Sequence, residues 1–114
     1  MQGIRVNDTI YVSGPGSHDE KGLLVGKSDM ETQLRQTYIN AAKVLQQFGA
    51  TMNNVLKEEV FVTDMNSALV VAAEVRADVY LGKPLVASTI VQVDRLISPE
   101  LLVQVKLTAK VHGQ

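Results

Sequence analysis

The sequence of 114 residues contains no cysteine and no tryptophan. Without cysteine it can form no disulfide, no thiolate nucleophile and no Cys-ligated zinc or iron–sulfur site. Aromatic residues make up only 4%, which argues against a stacking platform for nucleic-acid bases. The 11 Lys and Arg residues nearly balance the 12 Asp and Glu residues, so the basic excess that usually accompanies nucleic-acid binding is absent.

Long hydrophobic runs are also absent from the sequence. No apolar run reaches the ~20 residues that a membrane-spanning helix needs, and the N-terminus lacks the pattern of a signal peptide. Hydrophobic residues make up 46% and charged residues 20%, which is typical of a globular protein. We therefore expect a single domain over residues 1–114, located in the cytoplasm, with neither a membrane nor a nucleic acid as partner.

The clearest helix signal starts at residue 28. Ser28 and Glu31 have the spacing of a capping box, so Ser28→Ala is expected to cost about 1 kcal/mol of stability. Gly49 stands where a helix commonly ends in a left-handed residue. Between them, apolar residues recur every third or fourth position, as on one face of an amphipathic helix: Met30, Leu34, Tyr38, Ala41, Leu45 and Phe48.

The remaining segments alternate between strand and helix patterns. Residues 4–12 predict a hairpin, residues 55–63 and 86–93 two strands, and residues 68–81 a second helix that stops at Gly82, Lys83 and Pro84. Because this second helix is apolar on most sides, we expect it to be well buried.

The last segment, residues 101–111, alternates apolar and polar residues in the manner of a half-buried strand. The element order predicts an α+β fold, a two-layer sandwich with a sheet packed against two helices. The polar face of the last strand is then either solvated or covers the surface of another subunit.

No motif in the sequence indicates a cofactor or a metal. Residues 22–28 have only three residues between the glycines of a would-be phosphate loop, and Gly14-Pro15-Gly16 lacks the third glycine of a dinucleotide site. His18 and His112 have no partner at ligand spacing. We therefore predict neither a cofactor nor a metal.

Four charged residues need an interpretation. Glu58 and Glu59 are adjacent in a predicted strand, so they point to opposite faces; one is expected to be solvated and the other to meet a Lys or Arg. Glu74 and Arg76 are expected to mark the exposed edge of the second helix. These residues alone do not name a reaction.

Several segments together resemble the Rid family, also called YjgF/YER057c/UK114. The resemblance covers about residues 2–111 and is carried by Tyr11-Val12-Ser13-Gly14, Gln33-Leu34-Arg35-Gln36-Thr37, Val60-Phe61-Val62-Thr63-Asp64-Met65, Pro84-Leu85-Val86-Ala87-Ser88-Thr89 and the final alternating strand. It implies a chorismate-mutase-like fold with a mixed sheet. It also implies a homotrimer whose sheets form a central barrel, with three clefts between neighbouring subunits.

The best-known activity of that family is hydrolysis of reactive enamines and imines, such as 2-aminoacrylate, to a keto acid and ammonia. In the family pattern an Arg grips the substrate carboxylate and a Glu positions water. Here the Arg position falls on Ser88 and the Glu position on Gln104. An Asn that many members carry falls on Ala72, and a Tyr that usually precedes the first strand would lie before Met1.

Ser13 and Gly14 are retained from the family pattern, and Ile90 stands at a position that is often Cys. The resemblance thus implies a binding cleft formed by Ser13, Gly14, Ser88, Thr89, Ile90 and Gln104, with no assigned catalytic residue. Because this cleft lacks both charged groups, it is expected to be neutral and to suit an uncharged polar ligand.

Two functions remain open at this point. The first is a deaminase-like hydrolase that acts on an imine, an enamine or a related substrate other than 2-aminoacrylate. The second is a non-catalytic trimer that binds a small molecule. Older family names refer to ribonuclease and translation inhibition, and the balanced charge gives these no independent support.

Overall fold

A computed structural model describes residues 2–81 and 85–111. Five strands are present: β1 (Gly3–Val6), β2 (Thr9–Val12), β3 (Val55–Val62), β4 (Ala87–Gln92) and β5 (Val103–Lys110). The helices are α1 (Met30–Gln47) and α2 (Met65–Val79), and a 3₁₀ turn, Met52–Asn54, precedes β3. The expected helix stop at Gly82, Lys83 and Pro84 and the tail residue His112 lie outside the described residues.

The strands form one mixed sheet in the order β1-β2-β5-β3-β4. Strands β3 and β4 are parallel and the other neighbours are antiparallel. Because a parallel pair needs a crossover connection, α2 links β3 to β4. Both helices contribute to the hydrophobic core on one face of the sheet, which confirms the predicted α+β two-layer sandwich.

The burial pattern of β5 confirms the alternation predicted from the sequence. Val103, Val105 and Leu107 are buried in the core, whereas Lys106 and Lys110 on the other face are exposed. We call that second side the open face of the sheet, since neither helix covers it. On α1 the predicted apolar stripe also lies in the core, with Phe48 partly buried at its end.

The start of α1 differs from the prediction by one residue. Asp29 is the N-cap, and its side chain accepts hydrogen bonds from the Thr32 amide at 3.2 Å and from Thr32 Oγ1 at 2.8 Å. Ser28 has a left-handed φ of 60°, within a turn closed by a hydrogen bond from the Asp29 amide to the Gly26 carbonyl. The predicted capping box of Ser28 and Glu31 is therefore wrong, and a substitution of Ser28 removes no cap from α1.

Helix α2 also departs from the prediction. It begins at Met65, capped by Asp64, and only Ala68 and Val75 are fully buried. Val70 is 82% exposed. The expectation of a well-buried helix is wrong because α2 belongs to an outer layer and packs along one face only. Of the described helices, neither is long and apolar enough to cross a membrane.

Asp29→Ala should lower the free energy of unfolding by about 1 kcal/mol, because the first turn of α1 loses its cap. Ser28→Gly is the matched control, and it should leave stability unchanged or raise it, since glycine adopts a positive φ without strain. Urea unfolding followed by circular dichroism measures both. An unchanged stability of Asp29→Ala would contradict Asp29 as the cap.

Candidate functional site

A cavity of about 260 Å³ lies between α2 and strands β3 and β4. Most of its wall is apolar and is formed by Leu34, Val60, Val62, Ala68, Leu69, Ala72, Ala73 and Ile90. The polar lining residues are Tyr38, Arg76 and Ser88. An apolar cavity with a few polar groups is typical of small-molecule sites, and this volume lies just below their usual range of roughly 300–1,000 Å³.

The fully buried carboxylate of Glu58, on β3, lies next to these polar residues. Its Oε1 accepts hydrogen bonds from the hydroxyls of Tyr38 and Tyr80, each at 2.7 Å. Its Oε2 accepts one from Ser88 Oγ at 2.6 Å and one from Arg76 Nε, with which it forms an ion pair. Four donors therefore satisfy a charge that would otherwise be costly to bury.

Four elements bring these side chains together. Glu58 and Ser88 are register partners in the parallel pair β3–β4, so their side chains share a face of the sheet. Tyr38 comes from α1, whereas Arg76 and Tyr80 stand one turn apart at the end of α2. The two tyrosine rings pack edge to face at 6.0 Å between centroids, and the Arg76 guanidinium lies 5.5 Å from the Tyr80 ring centre.

The electrostatics keep Glu58 ionised. Burial on its own would raise the pKa of Glu58, but the hydrogen bonds from Ser88, Tyr80 and Tyr38 and the charge of Arg76 outweigh it and lower the pKa. For Arg76, burial opposes the charged form, yet the negative charge of Glu58 raises its pKa overall. The Arg76 guanidinium that lines the cavity is thus balanced by the buried carboxylate of Glu58 beside it.

The two tyrosines stay protonated. Burial first, and the negative charge of Glu58 second, raise the pKa of Tyr38 and of Tyr80 well above their usual range. Both phenols therefore keep their protons at neutral pH and donate them to the Glu58 carboxylate.

The structure places some of the predicted binding residues at the cavity. Ser88 and Ile90 line it, as does Ala72, which the resemblance aligns with an Asn of the family. Thr89 is the register partner of Glu59, so it lies on the open face, opposite to Ser88.

The other predicted binding residues lie away from the cavity. Gln104 is on the open face, paired with Phe61, and its Nε2 donates a hydrogen bond to the Gly14 carbonyl at 2.8 Å. Ser13 is exposed beside Gly14, and its amide donates to the Gln2 carbonyl. Within one chain, the predicted residues therefore form two groups on opposite faces of the sheet.

One sequence-based expectation needs correction. Arg76 does not mark an exposed edge, because its side chain is 32% exposed and pairs with Glu58; Glu74, on the same helix, is exposed as expected. Within one chain, the cavity has mostly apolar walls, and its polar lining residues are Tyr38, Arg76 and Ser88. The expectation that one of the adjacent glutamates meets a Lys or Arg is confirmed for Glu58.

Sequence reasoning missed the Glu58 cluster because its members are far apart along the chain. Glu58 and Arg76 are separated by 18 residues and Glu58 and Ser88 by 30, so no local spacing connects them. The available signal was a single Arg in an Ala- and Val-rich helix, together with a Glu on the core side of a strand. Among the described residues, no group of three His, Asp or Glu side chains could hold a metal ion.

Comparisons with known proteins agree with this fold. The Endoribonuclease L-PSP family model matches residues 1–111. A RutC family protein of Pyrococcus horikoshii is 30% identical over 108 residues, which are 95% of this chain and 83% of that protein. The solved structure of YyfA, a Rid protein of unknown function from Yersinia pestis, has a TM-score of 0.88 at 32% identity. The match covers 96% of this chain and 86% of the YyfA chain.

A second solved structure, RidA from an Antarctic Psychrobacter, has a TM-score of 0.87 at 28% identity, over 96% of this chain and 86% of that chain. A member of the YjgF/YER057c/UK114 family from Mycobacterium tuberculosis has a TM-score of 0.82, also at 28% identity, over 96% of this chain and 85% of its own. The match to the family model over almost the whole length, together with these relatives, shows that the chain belongs to the Rid family, also known as YjgF/YER057c/UK114.

Proposed function

We propose that this protein is a homotrimer that takes a small metabolite in a cleft between subunits. There it hydrolyses an imine, an enamine or a related substrate other than 2-aminoacrylate. The observation that carries this proposal is the division of the expected binding residues between the two faces of the sheet. Ser88 and Ile90 line the cavity, whereas Gly14 and Gln104 lie on the open face, so the two groups can share one ligand only across a subunit boundary.

The open face has the composition of an interface. It carries partly exposed apolar side chains, including Ile4, Val6, Tyr11 and Val91, alongside its polar residues. Exposed apolar side chains on one face of a sheet that no helix covers are compatible with an interaction site. If the open faces of three subunits pack around one axis, their sheets form the central barrel that the family resemblance implies.

The proposed reaction needs a positioned water. Water adds to the C=N carbon, the nitrogen gains protons, and cleavage of the C–N bond gives a carbonyl compound and ammonia. Because Gln104 Nε2 donates to the Gly14 carbonyl, its Oε1 is oriented to accept a hydrogen bond from such a water. An amide orients water without removing its proton, so the reaction depends on the inherent reactivity of the imine.

A second function, non-catalytic binding of a small molecule by the trimer, is favoured by the state of Glu58. Its two oxygens already accept four hydrogen bonds, and its lowered pKa makes it a weak base. Of the described residues that line the cavity, none is a carboxylate or a histidine. A protein that only binds its ligand needs neither group.

Sedimentation equilibrium at micromolar concentration should give three times the 12.4 kDa mass of one chain. Tyr11→Glu, on the open face, should shift the mass towards the monomer, because a buried unpaired charge weakens an interface. Ile39→Glu is the matched control, since this residue is similarly exposed but lies on α1. A monomer mass for the unmodified protein would contradict the inter-subunit cleft.

The reaction is tested by ammonia release from a panel of imines that an amino-acid oxidase or an amine oxidase generates in situ from amino acids and amines, with O₂ as the oxidant. At least one imine other than 2-aminoacrylate should be hydrolysed faster than in buffer alone. For 2-aminoacrylate, kcat/KM should stay below roughly 10⁴ M⁻¹s⁻¹. Ala72→Phe should abolish the activity by filling the cavity, whereas Ala77→Phe, on the exposed side of α2, should not.

Two outcomes of that assay would change the conclusion. Acceleration of no imine in the panel would favour the non-catalytic function. Efficient hydrolysis of 2-aminoacrylate would contradict the assignment of the family Arg and Glu positions to Ser88 and Gln104.

A further inference from the structure

The hydrogen-bond donors that the cavity can offer a ligand come from one residue. The hydroxyl protons of Tyr38 and Ser88 are already donated to Glu58, because an ionised carboxylate can only accept. Arg76 uses its Nε–H for Glu58, and within residues 2–81 and 85–111 its terminal amino groups donate to no other residue. The terminal nitrogens of Arg76 are therefore the donors that a ligand in this cavity meets.

The charge of Arg76 is already balanced. Glu58 is fully buried, so water screens its negative charge poorly, and this charge lies against the guanidinium. A carbonyl oxygen could accept from the terminal nitrogens without adding a charge. A carboxylate at the same place would bring a second negative charge close to Glu58 in a site with little water.

The rest of the cavity favours the same kind of ligand. Its walls are formed by aliphatic side chains from α1, α2, β3 and β4, which contact an apolar group favourably. A ligand that suits both the apolar walls and the Arg76 guanidinium has a small apolar body and one carbonyl or amide oxygen.

We infer that Glu58 determines the ligand specificity of this cavity. The negative charge of Glu58 balances the positive charge of Arg76. The cavity therefore binds uncharged small molecules with a carbonyl or amide oxygen in preference to carboxylates. This inference rests on the proposed function in one respect, namely that a ligand occupies this cavity. It narrows the substrate class to imines that lack a carboxylate next to the reacting carbon.

Butyramide and butyrate test the inference, since they have the same shape and differ in charge at neutral pH. Binding to the unmodified protein is followed by the NMR shift of the Ile90 methyl groups in the cavity, with those of exposed Ile97 as reference. Butyramide should bind at least about tenfold more tightly than butyrate. Equal or tighter binding of butyrate, or no shift of Ile90 with either compound, would overturn the inference.

Glu58→Gln sharpens the test, because it removes one charge with little change of shape and leaves that of Arg76 unbalanced. The ratio of the two dissociation constants should move towards butyrate by at least about tenfold. Glu74→Gln is the matched control, since Glu74 is exposed on α2 and does not line the cavity, and its ratio should equal that of the unmodified protein. An unchanged ratio in Glu58→Gln would show that Glu58 does not set the specificity.

The two proposals fail separately. If Glu58→Gln does not fold, the ratio measured on the unmodified protein decides the inference. If no imine is hydrolysed, the proposed reaction falls and the preference for butyramide still stands.

Discussion

The buried carboxylate of Glu58 is the contact on which the arrangement of the site depends. A carboxylate without solvent is stable only when its oxygens are paired, and here the four donors come from α1, from α2 and the residue that caps it, and from β4. Removing one partner of such a buried pair typically costs about 3–5 kcal/mol, because the remaining charge is left uncompensated. Glu58 therefore fixes how the helices and the edge strand sit around the cavity.

The same contacts decide what the cavity can bind. Ser88, which the family resemblance aligns with an Arg, donates its hydroxyl proton to Glu58. Arg76 supplies a guanidinium from a different element, but its charge is balanced by Glu58. The site thus combines a donor group with zero net charge, a combination that favours neutral ligands over the carboxylate-bearing substrates that the family resemblance implies.

Local patterns in the sequence predict much of the fold. The apolar stripe of α1, the left-handed Gly49 that follows it and the alternation of β5 are all set by near neighbours in the chain, and the structure confirms them. The cap of α1 was missed by one residue, because the turn that places Ser28 in the left-handed region depends on Gly26 rather than on the capping pattern.

The site was harder to predict than the fold. Its contacts depend on the register of β3 against β4 and on how α2 lies over the sheet, and neither is encoded in local spacing. From the sequence alone, a Glu in the middle of a strand is expected to be solvated or to pair with a single Lys or Arg, because its other partners are distant in the chain. Ser88 and Ile90, which the resemblance predicts as binding residues, line the cavity. The resemblance did not point to Glu58 or Arg76 as residues of the site.

The most direct measurement is the titration of the Glu58 side-chain carboxyl by ¹³C NMR. A carboxylate held by four donors should titrate below its ordinary pKa of 4.5. Since the pKa is then lower in the folded than in the unfolded state, its contribution to stability is present above about pH 4.5 and is lost as the pH falls through the folded-state value. A midpoint above 4.5, as expected for a buried carboxyl without its donors, would contradict the central role assigned to Glu58.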